Sequence, residues 1–190
     1  AGEREAASQY SMLDDLRLSG VDPPAGALRQ LRALCANSGA VLDPSKRPAN
    51  SREALYRRFV DLALDDALRT AAYEEPRALA YGAARDLSID AKRAGALATA
   101  AVAARVREAF LTAGAALRRG DDAGAARETA SAVALLRAFG PAPASAELEL
   151  VASGLASRLS PAEVAALRNL GAKAPAVSAA VEPLLKECLG

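Results

Sequence analysis

Apolar residues recur along this chain at spacings of three and four, in segments divided by Gly, Pro and Asx/Ser clusters. Sustained period-two alternation with β-branched residues is absent, so the pattern predicts an all-α fold. A first helix is expected over Arg4 to Leu18, with Tyr10, Leu13 and Leu16/Arg17 setting one face and Gly20 closing it. A second opens near Pro24 and carries Leu28, Leu31, Leu34 and Cys35 on one stripe. The stretch "NSGAVLDPSKRPAN", residues 37–50, reads as the main loop. Ser51 is then expected to cap a helix whose buried side bears Leu55, Phe59, Leu62 and Leu68. Its exposed face would carry Arg57, Arg58, Asp61, Asp65 and Asp66.

Glu74-Glu75-Pro76 makes a helix start, because acids suit a first turn and proline is tolerated there; this helix should run to Asp86. Asp90 is placed to cap the longest element, Ala91 to Arg119, in which Leu97, Ala101, Ala104 and Val106 alternate with Arg105, Arg107 and Glu108. After Gly120, Asp121 should cap a helix reaching Phe139, ended by Gly140-Pro141-Ala142-Pro143. Ser145 begins the next, through Leu159, and Ser160-Pro161-Ala162-Glu163 has the form of a capping box. A last helix over Pro175 to Cys188 would be bent or broken by Pro183.

The stretch "ALRRGDDAGAARETASAVALLRAF" resembles the middle of a tetratricopeptide repeat. An array of such units needs its ~34-residue period to recur, because each hairpin buries its open face on the next. One period on from Gly120 no Gly-Asp turn appears, so an ordinary helical hairpin is the favoured reading. A second internal echo is stronger. "LRLSGVDPPAGALRQL", "RDLSIDAKRAGALATA" and "RNLGAKAPAVSAAVEP" share a Leu near a helix end, a Ser or Gly terminator, a small apolar plug (Val21, Ile89, Ala172) and a new helix. Packing of each plug into the elbow between successive helices is the expectation.

Composition narrows the chemistry. The 190 residues suit a single helical domain over 1–190, and with 4% aromatics and no Trp its core must rest on Leu, Val and close Ala contacts. The 24 basic residues nearly match the 23 acidic ones, leaving no field to hold a phosphate backbone; nucleic acid is not an expected partner. Histidine is absent, which removes the commonest general base and metal ligand. No apolar run reaches the ~20 residues that span a bilayer, so this stretch of chain is expected to be soluble. It starts at Ala1-Gly2-Glu3 without an initiator Met or secretion signal, which suggests a mature product or a fragment.

Acidic pairs at Asp14-Asp15, Asp65-Asp66, Glu74-Glu75 and Asp121-Asp122 would need to converge in a cleft to bind metal or catalyse. Capping, first-turn placement and solvated faces account for them more simply. No phosphate-binding glycine motif occurs, and neither a cofactor nor a catalytic residue is expected. Arg57-Arg58 and Arg118-Arg119 lack interleaved aromatics and read as solvated faces. Cys35 and Cys188 are the only thiols and have no metal-ligand spacing. Cys35 lies on an apolar stripe. Cys188, near the chain's end, is the one expected to be exposed and open to oxidation; a Cys35–Cys188 disulfide would require the termini to meet.

Taken together, "LRLSGVD", "ALYRRFVDLALDDAL", "DLSIDAKRAGALATAAVAARVREAFLTAGAALRRGDDAGA" and "ELVASGLASRLSPAEVAALRNLGA" resemble, in order and spacing, the stromal C-terminal part of the large scaffold subunit of the Tic translocon. That translocon is the protein-import machinery of the chloroplast inner envelope. The resemblance implies stacked helices like irregular HEAT repeats, on the stromal side of the inner envelope membrane, beyond spans that this stretch lacks. It implies a non-enzymatic scaffold that receives transit peptides of incoming preproteins, recruits stromal chaperones and contacts other translocon subunits. Redox-responsive cysteines in that family make Cys35 and Cys188 candidate redox positions. Transit peptides are basic and Ser-rich, so Asp61, Asp65, Asp66, Glu74 and Glu75 form a candidate acidic binding face. A general helical adaptor without an organellar role and an enzyme using paired carboxylates are the alternatives.

Overall fold

The computed structural model describes residues 2–69, 74–142 and 144–190. Among these the chain is all-α, with nine helices, one 3-10 turn and no strand. The helices are α1 Gly2–Leu18, α2 Ala25–Ser38, α3 Ala49–Arg69, α4 Glu74–Asp86, α5 Ala91–Arg118, α6 Asp122–Phe139, α7 Ala146–Ala156, α8 Pro161–Ala172 and α9 Glu182–Leu189. The chain divides into two compact units, Ala1–Asp66 with Glu74–Ala98 and Ala67–Tyr73 with Thr99–Gly190.

In the first unit α1 packs on α2 and α2 on α4. The expected stripes supply the core: Tyr10 and Leu13 from α1, Leu28, Leu31 and Cys35 from α2, and Leu55 and Phe59 from α3 are all buried. Each such aliphatic side chain contributes roughly 1.5–3 kcal/mol on leaving water. Two details differ from expectation. Helix α3 opens three residues early, directly after Pro48, so Ser51 lies inside the helix rather than at its cap. Its buried hydroxyl instead meets the Tyr10 hydroxyl at 3.0 Å, satisfying two polar groups in one contact. Leu68, expected on the buried side, is 41% exposed. The loop is shorter than 37–50, because α2 reaches Ser38 before Gly39 (φ 68°) and Asp43 caps a 3-10 turn over Pro44–Lys46.

Three helix ends share one geometry, though not the three expected. At Gly20 (φ 78°), Ser88 (φ 51°) and Gly120 (φ 71°) the chain turns left-handed. The same two bonds form each time: the left-handed residue's N–H reaches back three residues, and the next N–H reaches back five. These are Schellman closures, in which the terminator satisfies carbonyls that the helix leaves unpaired. Ser88 adopts this conformation without being glycine, and its hydroxyl donates to Leu42 O at 2.7 Å, tying the loop to the elbow. The echo at Gly171 is different: α8 runs through Gly171 to Ala172, and Lys173 ends it in a right-handed conformation. The plug expectation also requires correction. Val21 is 51% exposed and Ala172 is exposed, while Ile89 is half-buried, so backbone closure rather than an apolar plug makes the elbows.

In the second unit α6 packs against α8 and α9, and α9 against α7 and α8. Val106 and Phe110 of α5, Val133 and Leu136 of α6, and Leu155 of α7 lie buried there, whereas Ala104 is exposed. Gly171 gives room to Leu185, whose methyl a Cβ at that position would meet at 2.6 Å. Apart from Ser51, the predicted side-chain caps are present. The Asp90 carboxylate accepts from the Lys92 and Arg93 N–H groups, Asp121 from Gly124 N–H at 2.8 Å, and Ser160 and Glu163 complete a reciprocal capping box. Pro183 neither bends nor breaks a helix: α9 begins at Glu182, and Pro183 occupies its first turn, where a missing N–H is harmless. Gly140 ends α6 as expected; Pro143 lies outside the described residues. Replacing Asp121 with Ala removes one cap and should destabilise the chain by about 1 kcal/mol, read as a lower melting temperature in calorimetry.

Candidate functional site

The acidic positions singled out from sequence occupy two helices of the first unit. Asp61, Asp65 and Asp66 lie half-buried on α3, and Glu74 and Glu75 open α4 in exposed positions. They do not form a bare negative face. Both carboxylate oxygens of Asp66 accept from Arg29 Nη2 at 2.7 Å, Asp61 lies 3.7 Å from Arg58, and Glu74 lies 3.9 Å from Arg77. Arg58 also pairs with Asp22, giving the surface a mosaic of opposite charges. Glu74, with 92% of its side chain exposed, is the most accessible acid of these pairs.

Neither cysteine is in a disulfide, and both are fully buried. For Cys188 this corrects the expectation of exposure: it lies on the inner face of α9 with Leu184, Leu185 and Leu189. Burial pushes its thiol up to about 12, with the Glu187 charge adding to the effect. Burial likewise pushes Cys35 up to about 11, reinforced by Asp86 and opposed by Arg32 and Arg85. Both thiols are therefore protonated at neutral pH.

The shifted carboxylates have local structural partners. Asp43 is lowered by the Ser45 hydroxyl and N–H, Glu53 by the Arg93 guanidinium, and Glu163 by its capping bond to the Ser160 N–H. A further acid, Asp86, is buried and was not singled out from sequence. Asp86 has only 4% of its side chain exposed, with Arg32 Nη1 at 3.0 Å from Oδ2 and Arg85 Nη2 at 3.0 Å from Oδ1. Arg32 Nη1 and Asp86 Oδ2 lack a hydrogen-bond partner among the described residues, so that contact is one of charge alone. The available signal was the position of Asp86 among Ala80, Ala83, Ala84 and Leu87, an apolar stripe that an acid enters only with a counter-charge.

Among the described residues no group of three or more His, Cys, Asp or Glu side chains could hold a metal ion, and no helix is long and apolar enough to cross a membrane. The second unit carries two adjoining surface hollows of about 340 and 390 Å³ that share Leu68 and Ser131. Ala130, Ala134 and Ala176 line the first, with Arg137 at its edge. Arg105, Glu108 and Thr112 of α5 face Glu128 and Leu135 of α6 around the second. Short side chains leave backbone near the surface of this groove, while both signs of charge stand along it. No family model matches the chain, and no curated protein and no solved structure compared with it matches either.

Proposed function

We propose that this chain is a non-enzymatic helical scaffold that holds segments of other polypeptides. Following the resemblance described above, its place is the stromal side of the chloroplast inner envelope, where it receives transit peptides and recruits stromal chaperones for the import translocon. The observation that carries the polypeptide-binding reading is the pair of joined hollows on the second unit, with Leu68 exposed at their junction. An open groove with an alanine-rich floor and charged edges suits an amphipathic segment laid along it, with apolar anchors inward and charges paired at the rim. The mosaic of Asp61, Asp65, Asp66, Glu74 and Glu75 supplies a second, electrostatic surface for a basic segment.

Anisotropy of a labelled basic, Ser-rich amphipathic peptide tests both surfaces at low salt. Thr112→Trp, at an exposed groove position, should weaken binding at least about tenfold by filling the second hollow. Reversing the five acids to lysine should weaken it further and flatten its salt dependence. Affinity unchanged by the charge reversal removes the acidic surface, and affinity unchanged by both variants removes the proposal. A general adaptor without an import role is the second reading. Selective binding of purified stromal chaperones favours the translocon, and its absence alongside retained peptide binding favours the adaptor.

A further inference from the structure

A third hollow, of about 430 Å³, lies on the second unit among α8, the 175–181 turns and α9. Its volume falls at the small end of the range of about 300–1,000 Å³ typical of ligand sites. The floor is apolar: Leu185 is buried and Val177 half-buried. The rim is polar, with the Arg168 guanidinium, the Ser178 side chain and the Lys186 ammonium set against one acid, Glu182. Lys186 pairs with Glu182 at 2.9 Å, but 66% and 60% of these two side chains are exposed, so the pair is weak and exchangeable. Arg168, one of the lining residues, donates from Nη2 to Leu189 O at 3.1 Å and to Gly190 O, which tethers its guanidinium to the end of α9. A planar, anchored guanidinium suits a carboxylate, since its remaining N–H groups meet two oxygens at once.

We infer that this hollow binds a small amphiphilic carboxylate, with its anionic head between Arg168 and Lys186 and its short aliphatic tail on Val177 and Leu185. One net positive charge at the rim and an apolar floor select that combination: a neutral tail lacks the head contact, and a cationic head meets two like charges. The head chemistry is common to a free short-chain acid and to the C-terminal carboxylate of an apolar peptide.

Titration of the full chain with octanoate, followed by backbone amide shifts, tests the site. Octanoate should bind with a dissociation constant on the order of a millimolar and shift amides of residues 177–186. Octanol and octylammonium should bind at least about tenfold more weakly, and Arg168→Gln should cost octanoate about tenfold. Ala172→Trp, at an exposed lining position, should abolish binding while leaving the circular dichroism unchanged, which guards against loss of fold. A tripeptide acid compared with its amide separates the two sources: preference for the peptide acid over octanoate assigns the site to peptide termini. Equal binding of octanol and octanoate, shifts elsewhere on the chain, or an unchanged affinity in Arg168→Gln overturns the inference.

Discussion

Arg32→Met should lower the unfolding free energy by about 3 kcal/mol, measured by urea denaturation with far-UV circular dichroism. Methionine keeps the length of the apolar stem, so the loss comes from charge rather than from a cavity. Asp86 would remain with 4% of its side chain exposed and with Arg85 as its one described charged partner. Arg85 is itself 61% exposed and therefore screened, which is why it holds part of the stability but not all. Loss of a buried partner costs about 3–5 kcal/mol in general, and this residual pairing places the site at the lower end. Adding Asp86→Leu should recover most of the loss, because the carboxylate that suffers is then gone. Gly82→Ala should act in the same direction, since its Cβ would collide with the Arg32 guanidinium. A loss for Arg32→Met below about 0.5 kcal/mol, the scatter of ordinary surface changes, would mean that the contact carries no stability.

That pair illustrates what the sequence does and does not make legible. Local signals with a short reach were readable: Asp90, Asp121, Ser145 and Ser160 cap the helices they precede, and Tyr10, Leu31, Cys35 and Phe59 lie where the 3.6-residue period puts them. Signals that depend on partners distant in sequence were not. Ser51 has the chemistry of a cap, yet Pro48 starts the helix earlier and Tyr10, forty-one positions away, takes its hydroxyl. Asp86 has the appearance of a helix-ending acid, yet Arg32 comes to it from α2. The elbow echo was half legible. Its terminators at Gly20 and Ser88 are real, but the third is Gly120, where the same backbone bonds form without the same flanking residues. The candidate acids were readable as surface positions. The pairing of Asp66 with Arg29 was not, because a contact between α3 and α2 leaves no mark on either helix alone, whereas Asp61 meets Arg58 one turn away on α3 itself.

Raising the pH should unfold this chain earlier than its composition suggests, because several of its buried acids are neutral. Cys35 is held at about 11, and Cys188 and Tyr56 at about 12, in each case chiefly by burial; Tyr10 is also raised by burial, against the lowering pull of its Ser51 contact. In the unfolded chain thiols titrate near 8.5 and tyrosines near 10. Between those values and the raised ones the native state keeps protons that the unfolded state has released, so stability falls as pH rises. The stability these groups supply is complete below about pH 8.5 and is lost through the window up to their folded values. Each group in its window adds a slope of about 1.4 kcal/mol per pH unit. Urea midpoints should therefore be flat from about pH 7 to 8.5 and drop steeply toward pH 10.5, where both thiols contribute together. Cys188→Ala should start somewhat less stable at neutral pH, having lost a buried sulfur, yet lose less stability across the same window. The same protonated, enclosed state should make both native thiols react with a disulfide reagent at pH 8 only as fast as the chain opens. Labelling as fast as in the urea-unfolded chain would show that the sulfurs are accessible, and an alkaline slope identical in Cys188→Ala would remove Cys188 from the account.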